Sequence, residues 1–95
     1  MIIFLTNNHL ELTEELDYLI IKTPVKLIDE YHLEYNNQIL EFDYLIVENP
    51  SFITEENLSF IKDDDTIITN WVGQTSIEHI YIGNFDKAID DLLNN

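Results

Sequence analysis

The side chains with the most capacity for chemistry in this chain are carboxylates. Asp63-Asp64-Asp65 is an unbroken run, and Glu55-Glu56 stands a short way before it. Nineteen of the 95 residues are acidic, against four lysines and no arginine. Carboxylates can do three kinds of work. A general acid or base needs its pKa raised in a dry pocket. Only Asp43, between Phe42 and Tyr44, has apolar neighbours in sequence, and it reads first as a bend between strands. As hard oxygen ligands, carboxylates hold Ca²⁺ or Mg²⁺. The Asp63–Asp65 run lacks the spaced ligands, central glycine and closing glutamate of a calcium loop, so it reads as a solvated loop that stops a helix. As fixed charge, carboxylates repel nucleic acid and anionic membranes and attract basic surfaces. The net charge of -15 at pH 7 favours this third use.

Other reactive types are sparse. His9, His32 and His79 lie far apart, and a metal site would need two or three of them to converge with a carboxylate. His79 falls in an apolar run and reads as a satisfied sheet residue. Thr75-Ser76 near His79 supplies a hydroxyl and a base, but no orienting third group and no nucleophile-elbow glycines. There is no cysteine, which excludes disulfides and thiol chemistry and suits a reducing compartment. Trp71, the only tryptophan, follows Asn70 in a loop. It reads either as a core plug or as an exposed aromatic anchor. Tyr31, Tyr35 and Tyr44 belong to a type that both strands and interfaces favour. The expected partner-binding residues are therefore Glu55, Glu56, Asp63, Asp64, Asp65 and Trp71. No catalytic, cofactor or metal residue is expected.

The elements that must position these groups follow from the apolar pattern. With 45% hydrophobic residues the chain is a folded acidic domain, not an acidic tail. Residues 1–95 read as one compact domain. The start MIIFLTNNHLEL has neither a basic leader nor a membrane-length apolar run, so a soluble, cytoplasmic protein is expected. In that compartment the Asn57-Leu58-Ser59 glycosylation pattern has no use. Ile2–Thr6 reads as a central strand. Leu10, Leu12, Leu16, Leu19 and Ile20 are spaced for a short helix capped by Asn8 or Thr13. Pro24 precedes Val25–Ile28. Tyr31–Tyr35 and Gln38–Phe42 alternate around Asn36-Asn37, a hairpin signature. Tyr44–Val47 is a buried strand. Thr54 caps a second helix through Glu55, Glu56, Leu58, Phe60 and Ile61. Thr66–Thr69 and Ile77–Ile82 read as strands. Phe85, Ala88, Ile89, Leu92 and Leu93 form the apolar stripe of a last helix. The expected class is α/β or α+β: a small central sheet with a β-hairpin and two or three short helices.

The stretch Gly73-Gln74-Thr75-Ser76-Ile77-Glu78-His79-Ile80-Tyr81-Ile82-Gly83-Asn84 resembles a late motif of thioredoxin-reductase-like flavoproteins. Leu40–Val47, Asp65–Asn70 and Ile2–Asn8 resemble strands of the same family, in the same order. The resemblance implies descent from, or convergence on, the carboxy-terminal part of such an enzyme. The departures weigh against the activity. The family needs a glycine-rich loop that brings backbone amides to a pyrophosphate, and this chain has only Gly73 and Gly83. The family's redox step needs a cysteine pair, and Asn84 stands where the motif has aspartate.

Two functions are expected from these readings. The first is a non-enzymatic acidic protein docking on a basic protein, a nuclease or another nucleic-acid-binding protein, in the manner of phage-coded DNA mimics and anti-CRISPR inhibitors. The second is a degenerate flavoprotein fragment that binds a nucleotide or complements a partner subunit.

Overall fold

The computed structural model describes residues 1–8, 10, 17–55, 58, 60–83 and 85–93. In chain order its elements are β1 (Ile2–Leu5), β2 (Tyr18–Ile21), β3 (Val25–Leu27), β4 (His32–Tyr35), β5 (Gln38–Glu41), β6 (Tyr44–Val47), a 3-10 turn (Pro50–Phe52), β7 (Ile53–Glu55), β8 (Lys62–Asp63), β9 (Thr66–Ile67), β10 (Ile80–Ile82) and α1 (Phe85–Leu93).

β1 and β6 are short runs of apolar residues without alternation, the pattern of strands covered on both faces. They pair in parallel, from Ile2 opposite Tyr44 to Leu5 opposite Val47. β2 flanks β1 and β10 flanks β6, which makes an all-parallel sheet in the order β10-β6-β1-β2. The two-residue period of the strands sorts their side chains. Phe4, Ile46 and Tyr81 share one core cluster with Ala88 of α1. Ile3, Leu5, Leu45, Val47, Ile80 and Ile82 share another with Val25 and Leu27 of β3 and Leu33 of β4. The fold is thus layered: helix, parallel sheet, mixed sheet. The mixed sheet runs β5-β4-β3-β7. Each side chain buried in these layers is worth about 1.5–3 kcal/mol.

The hairpin at Asn36-Asn37 forms as its sequence predicts, with φ of 51° and 62°, left-handed values that Asn tolerates. The final helix also spans its apolar stripe, with Ala88 fully buried and Phe85, Ile89 and Leu92 packed at the margin. Two helix expectations fail over the part of each that lies among the described residues. Leu19 and Ile20 belong to β2, where parallel pairing with β1 outweighs a short helix that water would barely support. The remainder of that stretch, residues 11–16, lies outside the described residues. Thr54 and Glu55 do not open a helix either. They form β7, paired in parallel with Lys26 and Leu27 of β3. Asp63–Asp65 does not stop a helix. Asp64 and Asp65, with φ of 48° and 67°, turn the β8–β9 hairpin. One α-helix is present among the described residues, so the protein is a strand-rich mixture of helix and sheet.

The strand expected over Ile77–Ile82 begins only at Ile80. The Ile80 amide closes a turn on the Ile77 carbonyl at 2.9 Å, so the chain enters the sheet late. Thr66–Thr69 likewise pairs only at Thr66 and Ile67.

Candidate partner-binding surface

Of the residues expected to bind a partner, Asp63, Asp64, Asp65 and Trp71 fall on two neighbouring structures, and Glu55 lies on β7 beside the first. The first is the β8–β9 hairpin. Asp63, Asp64 and Asp65 are all exposed at its tip. The hairpin extends past its paired residues, because the Ile68 amide donates to the Ile61 carbonyl at 3.0 Å. Ile61 and Ile68 stay 61% and 48% exposed. Glu55, on β7, is mostly covered and pairs with Lys62 Nζ at 2.5 Å. Its Oε2 is buried without a hydrogen-bond partner among the described residues. Glu55, Lys62 and Asp65 line one cleft with Pro50, Ile53, Thr66 and Ile67. Glu56 lies outside the described residues.

The second structure is the turn that carries Trp71. Asn70 organises it. Its Oδ1 accepts from the amides of Val72 and Gln74 at 3.1 and 2.9 Å, and its own amide donates to the Gln74 carbonyl at 2.9 Å. Gly73 supplies the positive φ, 87°, that the turn requires. Val72 is buried beneath, while Trp71 is 75% exposed, with Lys87 Nζ 5.9 Å from its ring centroid. Trp71 is therefore not a core plug. Hairpin and turn are joined by Ser76, whose Oγ accepts from the Ile61 amide at 3.0 Å. Ile61, Ile68, Thr69, Asn70, Gln74, Thr75 and Ser76 line the groove between them.

The Gly73–Gly83 stretch is thus occupied by structural work. Gly73 to Thr75 runs along β10, bonded to it through Thr75 N to Ile80 O at 3.0 Å and Ile82 N to Gly73 O at 2.8 Å. The Gln74 side-chain amide donates to the Glu78 carbonyl at 2.8 Å. Thr75 is buried, and its hydroxyl lies 3.0 and 2.9 Å from the carbonyls of Ile77 and Ile80 while accepting from the Ile77 amide. It has no freedom to act as a nucleophile.

The two described histidines have separate partners. His79 precedes β10 instead of lying within a strand. It stacks on Tyr31 at 4.3 Å and donates from Nε2 to the Glu30 carbonyl at 2.5 Å. His32 Nδ1 lies 2.8 Å from Asp29 Oδ1, and its Nε2 lies 3.4 Å from Glu41. The hydrogen bond to Asp29 leads the causes that hold the His32 pKa above its ordinary value. The Asp29 pKa is lowered, first by the Tyr31 amide and then by His32. His9 lies outside the described residues. Among the described residues no three His, Asp or Glu side chains gather as a metal site. Asp43 is an exposed bend residue whose carboxylate holds the Met1 ammonium at 2.5 Å. No helix among the described residues is long and apolar enough to cross a membrane.

Ile61 and Ile68 were not expected on this surface. The helical reading gave Ile61 a place on a buried stripe, and the strand reading gave Ile68 a place in a sheet. The signal was present: a run of acids between two apolar pairs, Phe60-Ile61 and Ile67-Ile68, fits a hairpin as well as a helix stop. Tyr44 and Tyr31 are also partly exposed, 39% and 48%, whereas Tyr35 packs against the core. Comparison with known protein families, with characterised proteins and with solved structures finds no match to this chain, so the surface is read from its own geometry.

Proposed function

We propose that this chain is a non-enzymatic acidic binding protein that docks on a basic surface of another cytoplasmic protein. A nuclease or other nucleic-acid-binding protein fits best, inhibited as DNA mimics and anti-CRISPR proteins inhibit theirs. The observation that carries this reading is Trp71, 75% exposed on a turn pinned by Asn70, beside an acidic hairpin with two exposed isoleucines. Rim carboxylates alone add little affinity but steer a basic partner and raise its on-rate. A rigid exposed aromatic supplies what they cannot: a large area buried at small entropic cost. Two of the four lysines are engaged in this region. Lys62 is tied to Glu55, and Lys87 lies over Trp71.

The test is capture from a native lysate at low and at high salt, with two variants as controls. Asp63→Asn, Asp64→Asn and Asp65→Asn together keep the turn, because Asn accepts its positive φ. Trp71→Ala removes the anchor. The expected result is a basic protein held at low salt, released at high salt, and weakened by both variants. Equal capture by wild type and both variants would end this reading.

A second reading, the flavoprotein remnant, draws support from the all-parallel order β10-β6-β1-β2. In such sheets ligands sit at the carboxyl ends of the strands, where the order reverses. At that place, beyond β1 and β6, Glu48 accepts from the Asn7 amide at 3.3 Å and the Asn8 side chain at 2.5 Å. A carboxylate thus holds donors that a phosphate would need, which favours the first reading. Stoichiometric flavin released on heating the purified protein would reverse this preference.

A further inference from the structure

The outer edge of β7 offers a place for an added strand. Among the described residues β7 pairs only with β3 and ends the mixed sheet, and the β8–β9 hairpin forms a separate sheet. The cleft between them is lined by Pro50, Ile53, Glu55, Lys62, Asp65 and Ile67, together with Thr66. The Ile53 amide closes the 3-10 turn on the Pro50 carbonyl, so it points away from β3. Successive residues of a strand present their backbone groups to alternate sides. The Ile53 carbonyl and the Glu55 amide therefore face outward, an acceptor and a donor at the spacing an incoming strand requires. Ile53 and Glu55 are in register with buried Val25 and Leu27, which sets their side chains on the inner face, toward the cleft.

Resting on the acidic-docking reading, we propose that this edge receives an extended segment of the basic partner, added to β7 with a lysine or arginine side chain in the cleft. The chemistry of the lining selects that residue. Its aliphatic stem would lie on Ile53, Ile67 and Pro50, and its charged head would meet Asp65 and Glu55. Glu55 Oε2 has no hydrogen-bond partner among the described residues but is closed off from solvent, so exposed Asp65 makes the first contact with the head, and a donor that then displaces the cover of Oε2 gains a further bond. The backbone of the segment would be recognised by strand pairing, the mode in which main-chain bonds give affinity and alternate side chains give specificity. A second copy of this chain is a poor occupant, because each copy carries a net charge of -15.

The experiment uses the full ¹⁵N-labelled chain and a capped hexapeptide that alternates valine with lysine. A peptide of equal charge with proline for valine is the control, since proline offers no amide for pairing. The expected result is amide shifts at Ile53, Thr54, Glu55 and Ile67 with slowed exchange of the Glu55 amide, for the valine peptide only. Asp65→Asn should weaken that binding about two- to fivefold. Shifts confined to the hairpin tip and the Trp71 turn would overturn the edge proposal and leave the docking surface standing. No binding of either peptide at low salt would count against both. Self-association of the free chain through β7 would put a second copy on the edge and overturn the proposal as well.

Discussion

Replacing Tyr81 with phenylalanine would measure how α1 is held to the parallel sheet. Tyr81 is 4% exposed in β10, and its hydroxyl donates to Asp91 Oδ2 of α1 at 2.8 Å. Burial first, then the hydrogen bond to Asp91 and its charge, keep the phenol neutral and push its pKa up to about 12 from an ordinary 10. The unfolded chain gives up this proton near the ordinary value, and the folded chain holds it longer. The stabilisation is therefore whole below about pH 10 and is lost as the pH rises through about 12. At about 1.4 kcal/mol per pH unit that limb is at most about 3 kcal/mol, and solvent screening where the hydroxyl and Asp91 line an open pocket brings it to about 1–2 kcal/mol. Tyr81→Phe lacks the limb. Near neutral pH it should lose about 1–2 kcal/mol with the hydrogen bond, toward the low side because Asp91 is only half-buried and can turn to water. As the pH rises past 10 the wild type should lose stability relative to the variant, and the gap should close. Urea midpoints by far-UV circular dichroism at fixed ionic strength give both curves. Urea is preferred to guanidinium, whose ions would screen the acidic field. A gap that stays constant from about pH 9 to 11.5 would show that the hydroxyl titrates alike in both states, and would refute the shielding argument.

Leu92→Asp should place a charge on the margin of the α1 cluster and cost about 2–4 kcal/mol, and an unchanged melting temperature would mean that the stripe does not hold the helix. His32 should titrate above 6.5 in the folded chain, with Asp29 and Glu41 holding its proton. Its contribution to stability is then full at and below that pH and fades as the pH rises through the raised value. Proton NMR of the imidazole in wild type and Asp29→Asn checks this, and equal midpoints in the two would remove Asp29 as the cause.

Much of the scaffold was legible because it rests on local rules. Asn36-Asn37 turns a hairpin because Asn tolerates positive φ, and the spacing of Phe85, Ala88, Ile89 and Leu92 makes a helix wherever an apolar face is available. The candidate surface was legible in part. The acids and Trp71 could be picked out by type, but Glu55 could not be told from its exposed neighbours. Only pairing with β3 draws Glu55 inward, toward Lys62.

Composition determined the sign and strength of the field, since charge at neutral pH hardly depends on where a carboxylate sits on the surface. It also excluded thiol chemistry and a glycine-rich phosphate loop, because the chain has no cysteine and only two glycines, ten residues apart. The tertiary structure decided which short apolar runs became strands. Segments such as Tyr18–Ile21 and Ile53–Glu55 are too brief to choose by propensity, and the choice goes to whichever neighbour offers a ladder of hydrogen bonds and a covered face. The same contacts placed Trp71 outside the core. Val72, next to it, fills the space above Phe4 and Ile46, and the turn held by Asn70 leaves the larger ring to the solvent.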